Sequence, residues 1–228
     1  MQIGSRRCIL NPVSGNGEHA DYVPRLMEAR GFEVYKTAAA GDAVEFGREA
    51  GRAEASEVAV CGGDGTVNEV VRGLDDAGHL DSVTLSVVPA GTANLLAGNI
   101  GVRDIEHGVE VADTGETRTV DVGVADDEPF LVSCIAGLPA DASVSTPGDL
   151  KERFGTLAFL LTGAQEALRF DGLDITISAV GEDGPFTWSG EATCLLAGVC
   201  SRRSVPGSWM RHGPARSSAT ARRMYWPW

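Results

Sequence analysis

The chain of 228 residues is 43% hydrophobic and 22% charged, which is sufficient for one or two domains with buried cores. It contains no apolar run near the ~18 residues of a membrane span, no secretory leader pattern and no paired cysteines, so we expect a protein of the reducing cytoplasm. The formal net charge of −13 predicts no binding to nucleic acid, because an acidic surface repels the phosphate backbone.

Residues 1–117 alternate short apolar runs with amphipathic stretches, a pattern typical of β-α-β units around a parallel sheet. Strands are predicted at residues 8–10, 32–37, 57–61 and 83–88. Helices are predicted at residues 18–30, 42–53 with Asp42 as the N-cap, from 66 onward, from 92 onward and at 104–112. We expect this segment to form one α/β domain.

Residues 118–200 change to alternating polar and apolar positions bounded by Gly, Asp and Pro, which is typical of antiparallel strands. Strands are predicted at residues 118–124, 129–135, 173–180 and 186–196, and one helix at 150–169. We expect this segment to form a second, β-rich domain.

Residues 201–228 differ in composition from the rest of the chain. They hold six of the 19 basic residues, none of the 32 acidic residues and three of the four tryptophans. They show neither helical nor strand periodicity. Two hypotheses remain open: a basic, aromatic segment that lies on a membrane surface, or a reading-frame change that replaced the C-terminus and left the β-rich domain incomplete.

The strongest functional pattern is GGDGTVNEV at residues 62–70, where an apolar strand ends in glycines and a helix follows directly. Glycines let the backbone approach a ligand closely, and the unpaired N–H groups of a helix start attract anions. Asp64 would repel a bound phosphate unless a divalent cation lay between them, which indicates Mg²⁺. Taken alone, the motif is equally compatible with an ordinary turn in which Asp64 or Thr66 caps the helix.

Two further predicted strands end in comparable turns. We call the three segments the first loop (residues 11–17, NPVSGNG), the second loop (residues 62–66, GGDGT) and the third loop (residues 89–94, PAGTAN). The carboxyl ends of parallel strands lie at one edge of a sheet, where open α/β folds bind ligands. We therefore expect the three loops to converge on a site for a phosphate-bearing ligand.

In these motifs and their order, the chain resembles the diacylglycerol kinase catalytic-domain family, which includes sphingosine kinases and bacterial lipid kinases and is more distantly related to the NAD kinases. Similarity extends more weakly through residues 130–142 and 151–161. The resemblance implies an NAD kinase-like fold: an α/β domain with a parallel sheet, followed by an antiparallel β-rich domain. It also implies a transferase of phospholipid biosynthesis that uses ATP and Mg²⁺ to phosphorylate a lipid hydroxyl, such as that of diacylglycerol, at the inner membrane face.

The resemblance implies roles for individual residues as well. Asn11, Ser14 and Gly15 would line the nucleotide. Thr37 would contact it from the end of the second strand, and Thr92 would complete the site. The residues that would hold the phosphates are Gly62, Gly63, Asp64, Gly65, Thr66, Val67 and Asn68. The Asp64 carboxylate would bind the metal ion and so offset the charge between metal and phosphate.

Two departures from the family pattern affect the expected activity. The first loop lacks the basic residue that is usual near its glycines, and His19 beyond it is predicted to be a solvated residue at a helix start. The family's general base lies in an acidic C-terminal motif, whereas residues 201–228 contain no carboxylate, and Asp141 and Asp171 are weak substitutes. The alternatives are a nucleotide-binding protein without turnover and a kinase of a soluble metabolite, as in the NAD kinases.

Overall fold

The computed structural model describes residues 5–125, 127–137, 173–181, 184–192, 194–198, 216–217 and 222–227. Contacts divide them into two compact units, the first formed by the described residues up to 132 together with 222–227, the second by the rest. The helix predicted at 150–169 lies outside the described residues. In the part of the chain that the structure describes, no helix is long and apolar enough to cross a membrane.

The first unit contains an alternation of strands and helices that ends in two further strands. Up to residue 132 its elements are, in chain order, β1 (Arg6–Leu10), α1 (His19–Glu28), β2 (Phe32–Lys36), α2 (Asp42–Arg52), β3 (Glu57–Gly62), α3 (Asp64–Asp76), β4 (Thr84–Pro89), α4 (Leu95–Asn99), α5 (Ile105–Thr114), β5 (Thr117–Ala125) and β6 (Glu128–Phe130). The strands β2, β1, β3 and β4 pair in that order, all in parallel. The predicted parallel sheet is therefore confirmed, and the predicted domain boundary at residue 118 falls inside β5.

The core of the first unit lies on both faces of this sheet. Alternate residues of a strand point to opposite faces, so Leu10 packs with the side chains of α1 and α5, whereas the preceding Ile9 packs with those of α2 and α3. Both residues are fully buried. The result is a layer of helices on each side of the sheet, with the loops left at its edges.

The N-cap of α2 and the first residues of α3 and α4 differ from the prediction, while α1 and α5 each begin one residue later than predicted. α2 follows Gly41, which has a φ of 90°, and Asp42 is its first helical residue. The Asp42 carboxylate instead accepts the N–H groups of Ala38 and Ala39 at 2.7 and 2.8 Å, and these bonds lower the pKa of its carboxyl. The prediction of Asp42 as the N-cap was wrong, because its oxygen serves the preceding turn. α3 begins two residues before the predicted start at 66, and α4 begins at Leu95, beyond the predicted start at 92.

Arg6, the first residue of β1, forms hydrogen bonds to β3, to α5 and to the turn before β2. Its Nε donates to Oε2 of Glu57 at 2.8 Å, and its terminal nitrogens donate to the carbonyl oxygens of Arg30 and Ala112 at 2.7 Å each. Its guanidinium lies 4.0 Å from the ring centroid of Phe32. Burial raises the pKa of the Glu57 carboxyl even with this partner present, so the ionised carboxylate depends on Arg6.

We expect Arg6→Met to lower the free energy of unfolding by about 2 kcal/mol, because it leaves Glu57, 15% exposed, without its charged partner. Arg52→Met is the matched control. Arg52 is 65% exposed and pairs with Glu45 on the surface, so its loss should cost less than about 1 kcal/mol. Urea unfolding measures both variants, and equal losses would contradict the expectation.

The second unit contains antiparallel strands, as predicted. They are β7 (Ser133–Gly137), β8 (Leu173–Gly181), β9 (Gly184–Ala192), β10 (Cys194–Gly198) and β11 (Arg216–Ser217). β7 pairs with β10, while β8 pairs with both β9 and β11. The strands predicted at 129–135 and 186–196 each form two separate strands, β6 with β7 and β9 with β10.

Two parts of residues 201–228 form strands, although these residues show no strand periodicity. One is β11. The other is β12 (Arg222–Pro227), which lies between β4 and β5 in the first sheet. It is antiparallel to β5 over six residue pairs and parallel to β4 at the pair Tyr225 and Thr84. Backbone hydrogen bonds join such a strand to its neighbours without any alternating side-chain pattern, which is why periodicity did not reveal it.

Candidate functional site

The three loops lie at the carboxyl edge of the first sheet. After β2 the chain crosses back over β1 to form β3, so the strand order reverses between β1 and β3. The first loop follows β1 and the second follows β3. Open α/β sheets form a crevice at such a reversal point, and their ligands bind in it. The strand order therefore places these two loops at the position that favours a ligand site.

Asn11 joins the first loop to the second. Its backbone N–H donates to the carbonyl oxygen of Cys61 at 2.9 Å, and its side-chain Nδ2 donates to Oγ1 of Thr66 at 3.1 Å. Its Oδ1 accepts the N–H of Val13 at 3.2 Å, so the same amide also shapes the first loop. Asn11 therefore holds the first turn of α3 against the end of β1.

The second and third loops touch through two glycines. A Cβ on Gly63 would lie 3.2 Å from the Cα of Gly91, and a Cβ on Gly91 would overlap the Cα of Gly63. Asn94, with a φ of 50°, closes the third loop: its Oδ1 accepts the N–H of Gly91 at 2.9 Å and its Nδ2 donates to the Gly91 carbonyl at 2.8 Å. The close approach of the two loops therefore requires glycine at position 91.

The first loop also meets the third. Gly15 has a φ of 56°, and a Cβ there would lie 2.5 Å from the carbonyl oxygen of Ala90. The N–H of Thr37 donates to the carbonyl oxygen of Leu10 at 2.9 Å, which places Thr37 beside the start of the first loop. All three loops therefore contact one another at one edge of the sheet, with Thr37 next to them.

Asp64 links the second loop to α4. Its Oδ2 and Oδ1 accept the N–H groups of Leu95 and Leu96, each at 3.0 Å. A carboxylate at a helix start satisfies N–H groups that have no partner within the helix and is favoured by the helix dipole. α3 itself has Gly63 at its N-cap position without a side-chain hydrogen bond, so neither Asp64 nor Thr66 caps that helix.

The Asp64 carboxylate is compatible with an Mg²⁺ ion that a nucleotide carries. Each of its oxygens retains a lone pair after accepting one N–H group, and Mg²⁺ usually takes one or two carboxylates together with phosphates and water. Among the described residues, no group of three His, Cys, Asp or Glu side chains is arranged to hold a metal. A metal ion at Asp64 would therefore depend on phosphate ligands as well.

The other residues proposed from the resemblance lie along the same loops with different exposures. Thr92, Asn68 and Gly65 are exposed, and Ser14 is half-buried. Val67 is 1% exposed, so its side chain belongs to the core, and its N–H donates to the Gly63 carbonyl at 3.1 Å. The Val67 side chain therefore packs in the core, and its backbone N–H contacts the second loop.

Two basic residues lie near the first loop. The first, His19, was expected to be solvated, and the second, Lys36, was not proposed from the sequence. His19 begins α1 and is only 2% exposed, so the prediction that it is solvated was wrong. Its Nε2 lies 2.9 Å from the carbonyl oxygen of Asn11. Lys36 ends β2, immediately before Thr37, and its Nζ donates to the carbonyl oxygen of Ala20 at 3.1 Å. Lys36 is exposed and brings a positive charge to the first turn of α1.

Cys61 stands directly before the second loop but is not a nucleophile. It is fully buried, and burial raises the pKa of its thiol well above the usual value. Burial likewise raises the pKa of the neighbouring Cys8 to about 12. Thiols with such pKa values stay protonated at neutral pH. Cys61 therefore contributes packing beneath the loops.

Comparisons with known proteins match these features. Residues 6–125 match the model of the diacylglycerol kinase catalytic domain. The chain is 34% identical over 167 residues to a diacylglycerol kinase of Bacillus subtilis, covering 70% of this chain and 54% of the relative. It is 31% identical over 199 residues to a diacylglycerol kinase of Staphylococcus carnosus, covering 85% and 63%. This chain therefore spans between about half and two thirds of the length of these relatives.

A solved structure shares the fold. The crystal structure of a diacylglycerol kinase from Bacillus anthracis superimposes with a TM-score of 0.61 at 23% identity, covering 87% of this chain and 65% of that one. The family match covers more than half of this chain and contains all three loops. The chain therefore belongs to the diacylglycerol kinase catalytic-domain family.

Proposed function

We propose that this protein is a lipid kinase that binds ATP with Mg²⁺ at the three loops and transfers the γ-phosphate to a lipid hydroxyl, such as that of diacylglycerol. The observation that carries the proposal is the mutual contact of the three loops where the strand order reverses. Membership of the family and the relatives named as diacylglycerol kinases support the same reaction and acceptor.

Backbone groups would hold the phosphates in this proposal. Gly63 and Gly91 let the second and third loops meet closely beside the start of α3, whose N–H groups would bind the anion. Asn11 and Thr66 add amide and hydroxyl groups, and Lys36 adds a positive charge at the same edge of the sheet. When bound with the triphosphate, Mg²⁺ would neutralise charge on the β- and γ-phosphate oxygens.

The proposed transfer requires little covalent chemistry from the protein. The lipid hydroxyl oxygen forms a bond to the γ-phosphorus while the bond to the β–γ bridging oxygen breaks, so ADP leaves and the hydroxyl proton passes to a base. Asp141 and Asp171, the bases considered from the sequence, lie outside the described residues. Phosphoryl transfer depends chiefly on positioning and charge stabilisation, which the three loops would supply.

Purified protein incubated with labelled ATP and Mg²⁺, in parallel with mixed lipids and with NAD, tests this proposal. We expect label to appear in phosphorylated diacylglycerol. Calorimetry should be run in parallel, because binding of Mg·ATP without transfer to any lipid would overturn the kinase activity in favour of nucleotide binding alone. Label in phosphorylated NAD would instead indicate a soluble acceptor.

We expect Gly91→Ala to lower the affinity for Mg·ATP about tenfold, because its Cβ would overlap the Cα of Gly63 and push the second and third loops apart. Gly98→Ala in α4 is the matched control, since its Cβ would have no heavy atom within 4 Å. Calorimetry should show parental affinity for that control. The same affinity in Gly91→Ala would mean that contact between the two loops is not needed for binding.

A further inference from the structure

His19 is buried and hydrogen-bonded beside the first loop, although the proposed function assigns it no contact with the nucleotide. It is the first residue of α1, is 2% exposed, and its Nε2 lies 2.9 Å from the carbonyl oxygen of Asn11. A carbonyl oxygen only accepts hydrogen bonds, so Nε2 carries the proton and donates it. Burying the imidazole without this bond would lower the free energy of unfolding. The folded state therefore favours the arrangement in which the ring and the Asn11 carbonyl stay in contact.

Asn11 is the residue through which this bond can affect the site. Its carbonyl oxygen also accepts the N–H of Ser14 at 3.3 Å, within the first loop. Its side chain reaches Thr66 in the second loop at 3.1 Å. Rotation of the Asn11 peptide would therefore disturb the turn of the first loop and the link to α3 at the same time.

We propose that His19 is a positioning residue: by holding the Asn11 carbonyl, it keeps the first loop in contact with the second and so sets the affinity for the nucleotide. The inference rests on the proposed function, in which these loops bind Mg·ATP. His19 acts through Asn11 alone in this proposal, and it donates no group to the nucleotide.

His79 offers a matched control for a purely structural role. Its Nε2 also lies 2.9 Å from a backbone carbonyl oxygen, that of Ala55, and it is half-buried. His79 follows the carboxyl end of α3 and Ala55 precedes β3, so this bond lies away from the three loops. Loss of either histidine removes a bond to a backbone carbonyl, and loss of His79 also removes the bond between its Nδ1 and the Ser82 hydroxyl at 2.9 Å, but only the loss at His19 should change nucleotide binding.

The test compares the full chain with His19→Phe, His19→Gln and His79→Phe by calorimetry with Mg·ATP, with urea unfolding as the check on folding. His19→Phe keeps a ring but no donor and should weaken binding about tenfold. His19→Gln keeps a donor and should recover part of that loss, while His79→Phe should bind like the parent. Should His19→Phe not fold, His19→Asn replaces it, because its amide is too short to reach the Asn11 carbonyl, and the same loss is expected.

The outcomes separate this inference from the proposed function. Parental affinity in His19→Phe or His19→Asn would overturn the positioning role alone. Equal losses in His19→Phe and His79→Phe would also overturn it, since the effect would then follow general destabilisation. Absence of Mg·ATP binding by the parent would overturn the proposed function and this inference with it.

Discussion

Asp64→Ala should weaken Mg·ATP binding about 10²-fold. The change removes the carboxylate that would face Mg²⁺ and the two hydrogen bonds that hold the N–H groups of Leu95 and Leu96 beside the second loop, and a 10²-fold loss corresponds to about 3 kcal/mol of binding free energy. Without these bonds α4 loses its side-chain attachment to the second loop. The free energy of unfolding should fall at the same time by about 1–2 kcal/mol, as for the loss of a helix cap.

Asp104→Ala is the control for this prediction. Asp104 caps α5 by accepting the N–H of His107 at 2.8 Å, and it lies outside the three loops. Its removal should lower the free energy of unfolding without changing nucleotide affinity.

Titrations of Asp64→Ala with and without Mg²⁺ distinguish the two roles of Asp64. A loss of ATP affinity in both conditions indicates attachment of α4, and a loss only with Mg²⁺ indicates metal binding. Unchanged affinity in both would contradict the prediction.

Gly73→Ala should lower the free energy of unfolding by about 3 kcal/mol or more. Gly73 lies where α3 crosses α2, and a Cβ there would overlap the carbonyl oxygen of Val44 and lie 2.7 Å from the backbone nitrogen of Arg48. Backbone atoms of a helix cannot move aside as a side chain can, so the helices must separate. Because α3 begins in the second loop, we also expect the nucleotide site to be disturbed.

Gly65→Ala provides the comparison within the same helix. A Cβ on Gly65 would have no heavy atom within 4 Å, so alanine should raise the free energy of unfolding by up to about 1 kcal/mol through its higher helix propensity. Urea unfolding of both variants measures the difference. A small loss in Gly73→Ala, similar in size to the change in Gly65→Ala, would show that the helices tolerate separation.

Several contacts of the site could not be read from local sequence patterns. Asp64 and its partner Leu95 are 31 residues apart, and a motif that places a carboxylate after glycines contains no information about which helix start it will meet. His19 follows the first loop in a polar stretch, and its burial depends on how α1 lies over β1. The strand β12 likewise depends on its place between β4 and β5, since its own residues do not alternate.

The order of strands and helices up to residue 117, the parallel sheet and the positions of the three loops could all be predicted from the amino-acid sequence alone. Periodicity and turn residues act over a few neighbouring positions, so they are visible in one chain. The folded arrangement was needed to show which groups of the loops bond to one another, that Asp64 holds α4, and that His19 is buried against Asn11. Such partners are selected by the packing of distant elements around the sheet, where burial and hydrogen-bond geometry act together.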